Sequence, residues 1–135
     1  MSATMIFVNL PVKDLAASRA FWEKVGYSFN PQFSDDTAAC LVISDTIYAM
    51  LLTEAKFNEF NKKEIADTTR TSAAIIALSA DSREKADELA GAALAAGATE
   101  ARPADDYGFM YARSFEDLDG HNWEVFWMDP AHVEG

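Results

Sequence analysis

Two hydrophobic periods alternate along this chain of 135 residues. Residues 5–12, MIFVNLPV, form an apolar run rich in branched side chains, which predicts a strand. Pro11 cannot donate to a sheet ladder, so this strand lies at an edge or Pro11 falls near its end. In LAASRAFWEKVGY, Leu15, Ser18, Phe21, Trp22 and Val25 recur at helical spacing. With Asp14 as N-cap and Gly26 as the stop, a helix is predicted over about 15–25. YSFNPQF, TAACLVI and TIYAMLLT follow as three strand-like pieces, separated by SDDT and SDT, and read as consecutive antiparallel hairpins.

The second half repeats this order. SAAIIALSA, residues 72–80, predicts a strand that runs into Asp81 and Ser82 as candidate caps. In REKADELAGAALAAG, Ala86, Leu89, Ala90, Ala93 and Leu94 share one face and Gly97 ends the helix. TEAR, FMYARSF and NWEVFWM supply three more strand-like pieces, the last two joined through EDLDGH. The chain therefore reads βαβββ twice. Module one covers about 5–53, a polar and partly helical connection about 54–71, and module two about 72–130, all within one domain of 1–135. A repeated unit of this kind does not bury its apolar face alone, so the modules must pack within one chain or between two.

Composition narrows the partners. The 22 acids against 11 bases give a formal net charge of −11, which repels nucleic acid and anionic membranes and attracts cationic ligands. Solubility is the simpler reading of the same charge. The acids of PADDYG and SFEDLDG likewise read first as a solvated face and only second as a cation trap. The single Cys40 cannot form an internal disulfide. The first residues, MSATMIFVNLPVKD, lack the basic flank and long apolar core of a signal peptide, and no apolar run has bilayer-spanning length. A soluble protein of the reducing cytoplasm is expected.

The chemistry concentrates in FEDLDGHNWEVFWMDP, residues 115–130. Glu124 interrupts the run Trp123, Val125, Phe126, Trp127, Met128, where a carboxylate costs free energy unless a metal, a cation or a proton compensates it. FVNLPVKDLAASRAFWEKVGY resembles the opening module of the vicinal oxygen chelate superfamily, which holds glyoxalase I, extradiol dioxygenases, and fosfomycin and bleomycin resistance proteins. FEDLDGHNWEVF resembles the end of its second module, where an Asp-Pro-Asp-Gly turn leads into a strand bearing a Glu; here Leu118 replaces the Pro. More narrowly, the sequence resembles small bacterial relatives of lactoylglutathione lyase. The resemblance implies an α+β fold of two βαβββ modules whose curved sheets enclose a cavity, usually in a homodimer.

In metal-dependent members of that superfamily, the first and last strands of each module send His or Glu side chains to a divalent metal. Matching LPVKD to the family pattern puts Phe7 in the first His position, with Asn9 and Pro11 on the same face. Matching LSADS likewise puts Ile75 in the second, with Ala77 and Ser79 beside it. In the last strand of module one, Ala49 or Met50 stands opposite the Glu position, depending on one residue in the turn. Glu124 alone falls on a family position with a ligating side chain suited to a hard cation. His132 lies in the C-terminal AHVEG, and His121, three residues before Glu124 on extended chain, points to a different face. A catalytic zinc takes three protein ligands, so no metal site and no cofactor are expected.

Glu124 then faces the cavity with Phe126, while Trp123, Val125 and Trp127 meet the helices. Arg113, across the EDLDGH turn, is the nearest candidate for an ion pair with it. The alternative is a desolvated carboxyl with a raised pKa that serves as ligand acceptor or general base. Phe7, Asn9, Met50, Ile75, Ser79, Arg113 and Phe126 are the candidate ligand-cavity residues, and Glu124 the candidate catalytic one. Phe7, Met50 and Phe126 read equally as core. Tyr111 reads as a surface residue of its hairpin, and DDYGFMY, with Gly108, as a loop closing over the cavity mouth. Three functions stay open. One is a metal-free binding protein that sequesters a small apolar or cationic molecule, a resistance role. The others are a glyoxalase or lyase-type enzyme using Glu124 as base or metal ligand, and a cavity-free remnant acting through dimerisation or protein contact.

Overall fold

Ile6–Val12 forms β1, and Asp14 stops it from running on by capping α1, Leu15–Val25: its carboxylate accepts the Ala17 amide at 3.0 Å. Gly26 ends α1 at φ 121°, a conformation that favours glycine, with its amide donating to the carbonyls of Trp22 and Glu23. β2, Ser28–Asn30, leads through a single 3₁₀ turn at Pro31–Phe33 to β3, Ala38–Val42, and β4, Ile47–Thr53. The sheet order is β1-β4-β3-β2, with β1 parallel to β4 and the other pairs antiparallel. A parallel pair needs a long crossover, and α1 with β2 and β3 supplies it. Pro11 thus sits in an edge strand, as its missing N–H requires. Helix α1 packs on β2, β3 and β4, burying Leu15, Ser18, Phe21 and Trp22. Thr53 caps the short α2, Glu54–Phe60.

The computed structural model describes residues 1–133, and the chain divides into two compact units. The first spans Met1–Ile65 and the second begins at Ala66, so the boundary falls inside the polar connection.

In the second unit the expected strand over 72–80 shortens to β5, Ile75–Ser79. Ser82 rather than Asp81 caps α3, Arg83–Ala95, its hydroxyl accepting the Lys85 amide at 3.1 Å. β6 is Thr99–Glu100, β7 Asp105–Asp106, β8 Met110–Glu116 and β9 Asn122–Met128, before a last turn of helix, α4, at Pro130–Val133. The order β5-β9-β8-β6, with β5 parallel to β9, repeats that of the first unit. Helix α3 presses Ala86 and Ala90 onto Val125, with Leu89 and Tyr111 packed at the margin. Each unit is therefore a βαβββ module of the α+β class. The second unit adds a strand, β7, which pairs with β8 where the sequence suggested an open loop. DDYGFMY is instead a tight hairpin with Gly108 at φ 81°, because Arg83 of α3 clasps it. Its guanidinium donates to both Asp106 oxygens, at 2.9 and 2.8 Å, and to the Gly108 carbonyl.

Candidate functional site

Residues paired across a sheet share a face, and the register separates the two faces of the second unit's sheet. One carries Trp123, Val125 and Trp127 of β9 with Tyr111, Arg113 and Phe115 of β8. Val125 packs on Ala86 and Ala90, which identifies this as the face under α3. The other carries Ile75, Ala77 and Ser79 of β5, Asn122, Glu124 and Phe126 of β9, and Ala112, Ser114 and Glu116 of β8.

Glu124 therefore stands on the face away from α3, opposite Ala77 on one side and Ser114 on the other. Arg113 does not reach it. Strand alternation puts Arg113 opposite Val125 on the helix face, where it pairs with Asp87 at 2.8 Å and Glu100 at 3.5 Å. The expected Arg113–Glu124 pair and the placement of Arg113 beside the other cavity candidates are thus both corrected. Tyr111 shares that network: its hydroxyl donates to Asp87 at 2.6 Å, and this bond raises its pKa above the ordinary tyrosine value. The same bond, with the one from Arg113, lowers the pKa of Asp87.

The cation beside Glu124 is Arg102, from the segment between β6 and β7. Its Nη2 lies 3.6 Å from Glu124 Oε2, beyond hydrogen-bonding distance, while Nη2 and Nε donate to Asp105 Oδ2 at 2.7 and 3.0 Å. Asp105, more than Glu124, raises the Arg102 pKa above the ordinary arginine value. Arg102 is bonded first to Asp105 and meets Glu124 at the longer ion-pair distance. The Glu124 side chain is 17% exposed against 41% for Arg102, so a partly desolvated carboxylate keeps acceptor capacity to spare. Across from it Ser114 is 3% exposed, and its hydroxyl has no hydrogen-bond partner among the described residues. A buried polar group in that state is costly and marks a place where a donor or acceptor from outside is stabilising.

Ile75 is 54% exposed and Ser79 is exposed, both on the Glu124 face, with Phe126 half-buried there. In the first unit Phe7, Asn9 and Met50 share one face: Asn9 is the register partner of Met50, and Phe7 stacks on Tyr48 with ring centres 4.6 Å apart. The register also decides between Ala49 and Met50. Met50 opposite Asn9 repeats Glu124 opposite Ala77, whereas Ala49 is fully buried on the other face.

The turn before β9 is held by Asp117. Its carboxylate accepts from the amides of Asp119 and His121 and from Trp123 Nε1, at 2.9, 3.0 and 2.9 Å. Burial raises its pKa, against the lowering effect of the His121 charge and of these bonds. His121, 7% exposed, thus belongs to Asp117 and the turn, not to Glu124. Among the described residues no three His, Cys, Asp or Glu side chains converge so as to hold a metal ion. The resemblance drawn from the sequence implies metal ligands at the positions of Phe7, Met50, Ile75 and Glu124, and the one carboxylate among them, with a neighbouring guanidinium, does not fit a divalent cation.

Sequence reasoning missed Arg102, Asp105 and Ser114. The lone base just ahead of PADDYG was the available signal, but only the fold of β7 against β8 sets Asp105 beside Ala112 on the Glu124 face.

Residues 4–44 match the family described as bleomycin resistance protein-like N-terminal. No curated protein matches the sequence. Among solved structures, a hypothetical protein from S. aureus is 26% identical over 94% of this chain and 95% of its own, with a TM-score of 0.77. A glyoxalase/bleomycin resistance protein/dioxygenase family enzyme from Burkholderia phytofirmans is 18% identical over 93% and 99%, with a TM-score of 0.78. A lactoylglutathione lyase from Agrobacterium tumefaciens is 17% identical over 94% of each chain, with a TM-score of 0.67. These matches bear out the resemblance to the vicinal oxygen chelate superfamily, and the fold is that of the glyoxalase and bleomycin resistance proteins.

Proposed function

From the premise that the chain is glyoxalase-like and bleomycin resistance-like, we propose that it is a metal-independent binding protein of the cytoplasm. It takes a small apolar cation, Glu124 supplying the counter-charge, and sequesters it. The observation that carries this reading is the state of Glu124: a 17% exposed carboxylate whose nearby cation stands at 3.6 Å and is engaged elsewhere. An incoming ammonium group that donates directly to Glu124 makes the charge-assisted hydrogen bond that Arg102 does not. Phe126, Ile75 and Ala77 on the same face offer the apolar area, and the net charge of −11 raises the local concentration of cations. Ser79 is a polar contact beside Phe126 on this face, while Phe7, Asn9 and Met50 share one face of the first module's own sheet. The working form is a homodimer, in keeping with the exposed apolar side chains of Met5, Ile6 and Phe7 at the start of the chain and its edge strand.

A thermal-shift series on chelator-treated protein tests this, since a ligand that binds the folded state raises the melting temperature by mass action. Benzylamine, cationic at neutral pH, should raise it, and neutral benzyl alcohol should raise it far less. Equal shifts from both would refute the counter-charge role. The alternative, a glyoxalase or lyase-type enzyme with Glu124 as base, is favoured by the same loose hold on the carboxylate. Mass spectrometry separates the two: sequestration returns the bound compound unchanged, whereas an enzyme returns a product.

A further inference from the structure

Beyond the Glu124 position, the second unit holds a cleft of about 150 Å³ lined by Thr68–Ser72, Glu116, Gly120 and Asn122. The segment is built into the fold. Asp67 accepts from the amides of Thr69, Arg70 and Thr71, and Thr68 Oγ1 donates to the Asp119 carbonyl at 2.6 Å. Gly120, at φ 84°, lets the Thr68 carbonyl approach so closely that a Cβ there would lie 2.3 Å from its oxygen. The cleft is therefore a rigid junction between this segment and the ends of β8 and β9.

Its charged side chains make no ion pair among the described residues. Among the described residues Asn122 Oδ1, shielded from solvent, has no hydrogen-bond partner, and Glu116 directly opposite makes no ion pair. Arg70, which also lines the cleft, makes none either. An anion alone would face Glu116 and the net charge of −11; a cation alone would leave the Arg70 guanidinium unused; a neutral polyol would leave both charges without partners. A molecule carrying both charges a few ångströms apart satisfies all three groups.

We propose that this cleft binds the head of a small zwitterion, such as a free α-amino acid. Arg70 takes its carboxylate, a geometry for which the guanidinium fork is suited, and Glu116 with Asn122 Oδ1 takes its ammonium group. The site goes beyond the function proposed above and uses none of the same side chains, so either can fail without the other.

Titrating ¹⁵N-labelled protein with L-alanine tests it. Saturating shifts are expected at the Asn122 side-chain amide, Gly120 and Thr69–Ser72, with acetate and methylamine each binding at least about tenfold more weakly, since each lacks one charge-assisted contact. Arg70→Gln and Glu116→Gln should weaken alanine by a similar factor, and Arg70→Lys by less, while the dispersed spectrum of each variant reports that it is folded. No saturable shift, acetate or glycerol binding as well as alanine, or unaltered binding to folded Arg70→Gln would each overturn the proposal.

Discussion

Glu124 and Arg102 are coupled through a third residue, Asp105, and that coupling predicts opposite effects for two substitutions. Glu124→Gln removes the counter-charge, so binding of benzylamine should weaken roughly tenfold or more, the cost of one charge-assisted hydrogen bond. Arg102→Gln removes a competitor that sits 3.6 Å from the carboxylate, so the same ligand should bind more tightly. Isothermal titration of both variants checks this; tighter binding to Glu124→Gln would invert the assignment. Arg113 is the partner that the sequence suggests for Glu124. Arg113 is close to Glu124 in the hairpin, but the two-residue period of the strand sends them to opposite faces, and Asp87 on α3 holds Arg113 there. That Glu124 faces away from the helix follows from alternation alone and was legible in the sequence. Its partner was not, because Arg102, the last residue of the strand-like piece TEAR, falls beyond the observed strand Thr99–Glu100 and is held at this face by Asp105.

Among the elements, the two modules were legible because each strand and helix carries its own signal: caps at Asp14 and Ser82, stops at Gly26 and Gly97, and period-two alternation through β4, β8 and β9. The hairpin of β7 and β8 was not, since Asp105 and Asp106 have no strand propensity and are ordered by tertiary contacts. Arg83 holds the Asp106 pKa down from 3.8 to about 2. A carboxylate depressed in the folded state contributes stability that is present above its unfolded pKa and lost as pH falls through the folded one. The clasp on this hairpin should therefore hold above about pH 4 and loosen as pH falls toward 2, and Arg83→Gln should return Asp106 to the ordinary range in a ¹³C NMR titration. An unchanged Asp106 midpoint in that variant would show that the Gly108 amide alone holds it. At the other hairpin, Gly120→Ala forces both a left-handed backbone and a clash with the Thr68 carbonyl. It should cost on the order of 1–3 kcal/mol in urea unfolding, and a change within about 0.5 kcal/mol would show that the 68–72 segment does not dock on the turn.

For the whole molecule, the exposed side chains Met5, Ile6 and Phe7, 47–53% accessible at or near an edge strand, predict self-association. Light scattering should give twice 14.8 kDa, and Phe7→Glu should shift the mass toward the single chain; a wild-type mass of 14.8 kDa at micromolar concentration would contradict it. Among the described residues no helix is long and apolar enough to cross a membrane. The central claim is that Glu124 engages a cation directly. Calorimetric titration of benzylamine into protein stripped with a chelator tests it most directly. The account predicts saturable heat at one ligand per chain, lost in Glu124→Gln and unaffected when nickel or zinc is restored. Binding that appears only when metal is returned, or that persists undiminished in folded Glu124→Gln, would contradict it.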